Sequence, residues 1–131
     1  MTNRKNPQAL AIDQPDEPGP AAFMQRAETM RRAAMTGGDQ AYGAVIVKDG
    51  RIVGQAPSRV VVNTDPTGHA EMEAIRDASR RLGRADLSGC VMYSTSRPCV
   101  MCETAAHWAG ISSLRFGSDI HDGGRPRYRR C

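Results

Sequence analysis

Two short motifs constrain this chain more than anything else in it: His69-Ala70-Glu71 and Pro98-Cys99-Val100-Met101-Cys102. Together they carry one imidazole and two thiols, the side chains that bind zinc best, and a carboxylate two residues from the imidazole. Three protein ligands leave a tetrahedral zinc with one open position, which is how a catalytic site differs from a closed structural one. A water in that position loses a proton near neutral pH, and a carboxylate beside it can shuttle protons. For one ion to use both motifs, two segments far apart in the chain must fold together.

A closed structural site would need a fourth protein ligand. The candidates are His107, His121, Cys90 and Cys131, and none makes the short second spacing that zinc ribbons show. The spacing of Cys99 and Cys102 reads as metal binding before disulfide, and reduced thiols suit the cytoplasm. No apolar run approaches the roughly 20 residues of a membrane span. The opening MTNRKNPQALAIDQPDEPGP lacks the apolar stretch of a signal peptide. A cytoplasmic location, with no membrane partner, is the resulting expectation.

The net charge of +4 is unevenly placed. Arg125-Pro126-Arg127-Tyr128-Arg129-Arg130 holds four arginines and no acid, which leaves 14 basic and 14 acidic groups for the rest. A neutral body with a cationic tail is expected. Such a tail can attract phosphate, but neutrality elsewhere and only 5% aromatic residues argue against a broad RNA surface.

Residues 1–19 are polar, rich in Pro and Gly, and without period; they are expected to form a flexible arm. Residues 20–117 carry the folded domain, and 118–131 the basic tail. From Pro20 the apolar positions Phe23, Ala27, Met30 and Ala34 follow a helical period that Gly37-Gly38 ends. Tyr42 to Lys48 and Arg51 to Gly54, joined by Asp49-Gly50, read as a β-hairpin. A loop over Ala56 to Gly68 follows. The next elements are a helix over about Thr67 to Leu82, a strand over Gly89 to Thr95, a helix from Pro98 to about Ala109, and a fourth strand over Ile111 to Phe116. This order implies an α/β fold, a three-layer α/β/α sandwich with a mixed central sheet.

On this reading His69 and Glu71 share the first turn of one helix, and Cys99 and Cys102 the first turn of the next. Both helix N-termini then face one ion and favour the thiolate form of the cysteines. Regular α geometry, however, turns Glu71 about 200° away from His69. The carboxylate reaches the site only if the first turn places it beside the ion.

At these residues the sequence resembles the cytidine deaminase-like superfamily of zinc-dependent deaminases, and within it the bacterial guanine deaminases and the tRNA adenosine deaminase branch. Gly43 to Gly50 is similar to the family's first hairpin, and Asp65-Pro66-Thr67-Gly68-His69-Ala70-Glu71 to its D-P-T-A-H-A-E segment. The resemblance covers about Ala21 to Gly117. It implies one zinc held by His69, Cys99 and Cys102, proton shuttling by Glu71, and a homodimer. Zinc-activated hydroxide would then attack an amino-substituted ring and release ammonia. Substrate contacts are expected from Ser58, Ala70, Trp108 and Ala44. Trp108 stands where guanine deaminases carry a tryptophan near the base, which points to a free base.

Three departures bear on the substrate. The resemblance calls for asparagine where Ser58 stands and for glutamate where Arg97 stands. Guanine deaminases also continue past the fourth strand with a helical tail, so the pocket is expected to be more open or to be closed by a neighbouring subunit. The expected function is hydrolytic deamination of a nucleobase or related aminated heterocycle, guanine first. The alternatives are adenosine-to-inosine editing of tRNA, with the arginine tail on phosphate, and an inactive zinc-binding partner subunit.

Overall fold

The computed structural model describes residues 10–128. Helix α1 (Pro20–Thr36) begins with Pro in its first turn, where the missing N–H costs nothing, and ends at Gly37. It buries Phe23, Met24, Ala27 and Ala34. Strands β1 (Gly43–Lys48) and β2 (Arg51–Pro57) form the hairpin. Asp49 and Gly50 both have positive φ, 50° and 76°, as a two-residue turn matched to strand twist requires. Then follow α2 (Ala70–Leu82), β3 (Cys90–Ser94), α3 (Val100–Ala109), β4 (Ser113–Phe116) and β5 (His121–Gly124).

The sheet order is β2-β1-β3-β4-β5. Only the β3–β4 pair is parallel; β1 runs antiparallel to β2 and β3, and β5 antiparallel to β4. The mixed sheet and three layers are those expected from the sequence. One face carries α1 over Val45, Val47, Ile52 and Tyr93. The other carries α2 and α3 over Ala44, Ile46, Ala56, Met92 and Leu114. β1 is buried on both faces, which accounts for its unbroken apolar run.

Two glycines let the helices sit close to the hairpin. A Cβ on Gly43 would lie 2.2 Å from the Ala27 carbonyl oxygen and 2.3 Å from the Arg31 nitrogen of α1. A Cβ on Gly54 would lie 2.6 Å from the Ala78 Cβ of α2. Beside Gly54, the Asp77 carboxylate accepts the Gln55 N–H at 3.0 Å and pairs with Arg81 at 2.8 Å, tying α2 to the same strand.

Several boundaries differ from the sequence expectation. α2 starts at Ala70, not near Thr67, because residues 58–68 form their own turns. These turns are held by Asp39, whose carboxylate accepts from the N–H groups of Val61 and Val62 and from the Ser58 hydroxyl. α3 starts at Val100, which places Pro98 before the helix. β5 was not expected at all; it belongs to the sheet, so the fold continues past residue 117. Residues 10–19 of the expected flexible arm are docked. The Gln14 amide pairs with both the N–H and the carbonyl of Ile52, at 2.9 and 2.7 Å, and Asp13 pairs with Arg26 at 3.0 Å. Residues 1–9, and Arg129, Arg130 and Cys131 of the tail, lie outside the described residues.

Because the atoms facing Gly43 are main chain, no side-chain rotation relieves a Cβ there. Gly43→Ala is expected to destabilise the fold by about 3 kcal/mol or more, as overpacking against a fixed helix does. Urea denaturation of the variant beside the parent chain checks this.

Candidate active site

The backbone resolves the question left by helical geometry. His69 is not in a helical turn: it is the N-cap of α2, with φ −59° and ψ 150°. Cys99 holds the equivalent place at α3, with φ −72° and ψ 174°. Their carbonyls accept the first intrahelical bonds, from Glu73 and Glu103 respectively, each at 2.9 Å. The extended residue at each cap turns its side chain away from the helical spiral. His69 therefore points to the same place as Glu71 instead of the opposite side.

His69 Nδ1 lies 3.7 Å from Cys99 Sγ and 3.6 Å from Cys102 Sγ. The three ligand atoms lie within 4.8 Å of one another. Tetrahedral zinc with ordinary Zn–N and Zn–S bonds separates N from S by about 3.6 Å, so the donors already stand at zinc-binding separation. Cys99 is exposed, His69 half-buried and Cys102 fully buried. Burial pushes the Cys102 thiol well up from its usual range, with Glu71 and Cys99 adding to it, while the Met72 backbone N–H acts the other way. A cation at this point would offset that cost.

Glu71 is 6% exposed. Desolvation raises its carboxyl from the usual 4.5 to about 7, although bonds from its own N–H and from Cys102 oppose the shift. A carboxyl that titrates near neutrality both takes and gives protons with little penalty. It opens on a cavity of about 210 Å³ lined by Gln40, Tyr42, His69, Glu71, Ser96, Arg97 and Cys99.

Of the expected substrate contacts, none lines this cavity. Ser58 is buried and bonded to Asp39 Oδ1 at 2.9 Å. Ala44 and Ala70 are fully buried in the core between sheet and helices. Trp108 sits on the last turn of α3, 73% exposed. Gln40, Tyr42 and Ser96 line the cavity without having been singled out in the sequence; they belong to loops and carry no spacing signal. Among the described residues, no fourth ligand joins the cluster. Cys90 is buried at the start of β3, His107 stands edge-on to Tyr128, and His121 packs on Phe116. The tail is partly engaged, since the Arg127 N–H donates to Glu103 Oε2 at 3.0 Å.

Residues 20–118 match the cytidine and deoxycytidylate deaminase zinc-binding region. The chain belongs to this family. It is 38% identical over 101 residues to a guanine deaminase of Bacillus subtilis, an alignment that covers 76% of this chain and 65% of that protein. It is 39% identical over 100 residues to a tRNA-specific adenosine deaminase of Aquifex aeolicus, covering 76% and 66%. The crystal structure of the B. subtilis guanine deaminase superposes with a TM-score of 0.70 at 38% identity, over 73% of this chain and 62% of that one. The chain thus spans about two thirds of the length of these relatives. The zinc-binding deaminase domain, with a histidine and two cysteines positioned to hold a metal ion, is the identity these observations establish.

A carboxyl whose pKa is raised by folding favours the folded state while protonated. That contribution is complete below 4.5 and is lost as pH rises through about 7. In the metal-free protein, Glu71→Gln is therefore expected to gain stability over the parent between about pH 4 and about pH 8, on the order of 3 kcal/mol. Denaturant melts of both proteins at the two pH values check the sign.

Proposed function

We propose that this protein is a zinc-dependent hydrolytic deaminase of a nucleobase or related aminated heterocycle, with guanine as the leading substrate. The observation that carries the reading is Glu71, a buried carboxyl on the same small cavity as the His69–Cys99–Cys102 cluster. His69, Cys99 and Cys102 would hold the zinc, and Glu71 would be catalytic.

When bound, the metal supplies Lewis acidity that makes water a nucleophile at neutral pH. Glu71 takes the proton that the attacking water loses and delivers it to the ring nitrogen of the amidine. It then relays the second proton of the same water to the departing amino group, so that ring carbonyl and ammonia form from amidine and water. The helices fix the carboxylate, so no reorganisation is needed during transfer. Burial excludes bulk water from its proton.

A free base suits the size of the cavity and the balanced charge of the body. The similar identity to a tRNA-specific adenosine deaminase, together with the arginine tail, supports RNA editing as the second reading. We also infer a cytoplasmic homodimer. A second copy would cover Val100 and Trp108, large apolar side chains exposed on α3. Among the described residues no helix is long and apolar enough to cross a membrane.

The zinc-loaded protein is expected to release ammonia from one member of a panel of guanine, adenine, cytosine, their nucleosides and amino-triazines. Glu71→Ala is expected to lower turnover by about 10²-fold to 10⁴-fold with zinc content unchanged, whereas Cys102→Ala loses the metal. Unchanged turnover in Glu71→Ala would overturn the mechanism. Silence on the panel with inosine formed in tRNA, and lost on deleting residues 125–131, would select the second reading. Trp108→Glu is expected to convert a dimer to monomer in light scattering.

A further inference from the structure

Arg97 lines the cavity two residues before Cys99. Its guanidinium lies over the Phe116 ring, 5.5 Å from the centroid, and Phe116 is itself packed on His121 with ring centroids 4.9 Å apart. A guanidinium held by its face keeps its N–H donors, which lie in its plane, available to other partners. Among the described residues Arg97 makes no hydrogen bond and no ion pair. The carboxylates of the adjoining cavity are committed elsewhere: Glu103 accepts from Arg127 and Asp122 pairs with Arg115 at 3.7 Å. Around it on the catalytic wall stand the neutral side chains of Gln40, Tyr42 and Ser96.

We propose that Arg97 is the specificity-determining residue of the site and selects heterocycles that present two coplanar acceptors to it. The pair can be a ring carbonyl oxygen beside an unprotonated ring nitrogen, as in guanine, or a carboxylate substituent. The fork of N–H groups matches either pair bidentately. A ring carrying an amino group in the carbonyl's place sets donor against donor, so the bidentate pair is lost. Glutamate, which the deaminase resemblance calls for at this position, has the opposite polarity and would select donors. The proposal rests on the deaminase reading above and names the edge by which that site chooses its ring.

The test compares guanine, 2,6-diaminopurine and an aminopyrimidine carboxylate, by ammonia release and by calorimetric titration into zinc-loaded Glu71→Gln protein. The expected result is that Arg97→Gln lowers kcat/KM and affinity for the acceptor-bearing compound by about 10-fold to 100-fold and changes 2,6-diaminopurine by less than about 3-fold. Arg97→Glu reverses the order, and Arg97→Lys keeps part of the preference. Preference for guanine names the ring edge, and preference for the carboxylate names a substituent. Equal losses on all three compounds, or no change on any, would overturn the proposal. No ammonia from any compound with wild-type protein would sink the free-base reading, and the titrations would still decide the role of Arg97.

Discussion

Two chain segments enter their helices through an extended cap residue, and at both caps that residue carries a metal-binding group. His69 opens α2 and Cys99 opens α3, and the partial positive charge of each helix start falls on the same few ångströms. The Met72 N–H, which has no intrahelical partner so early in α2, acts on the thiol of Cys102 from α3. A thiol of α3 thus meets an N–H at the open end of α2. That convergence depends on the hairpin below. Gly54 lets α2 approach β2 to backbone distance, and Asp77 locks the approach by taking the Gln55 N–H.

The same arrangement separates two kinds of buried acid. Glu73 and Asp77 lie on α2 close to Glu71 in sequence and are as buried, yet each is paired with arginine: Glu73 with Arg76 at 2.6 Å and Arg59 at 3.5 Å, Asp77 with Arg81. Among the described residues Glu71 has no cation of that kind, and desolvation raises its carboxyl. One helix therefore holds structural carboxylates and a chemically poised one within two turns of each other, distinguished by their neighbours.

Side-chain chemistry made the centre of the site legible in the sequence: His69, Glu71, Cys99 and Cys102 are recognisable by type and spacing. The order of elements followed from period and turn residues, Asp49-Gly50 above all. What could not be read was anything set by a cap or by backbone pairing. An ideal helix through His69 turns Glu71 away, and only the extended cap corrects it. β5 contains an aspartate and two glycines in four residues, a composition that strands avoid, and it forms because β4 offers it a backbone edge. Trp108, which the resemblance places near the base, is exposed on α3 and does not line the cavity. Ser58 suggested a substrate contact and serves the Asp39 loop.

The Gln14 amide has a meaning beyond docking the N-terminal segment. β2 is an edge strand of the sheet, and such a strand offers unpaired N–H and carbonyl groups to any other chain. One glutamine side chain, carrying both a donor and an acceptor, occupies both groups of Ile52 near the start of that edge. With Asp77 on the Gln55 N–H further along the strand, side chains from outside the sheet occupy hydrogen-bonding groups that would otherwise accept an added strand, without a further strand being spent.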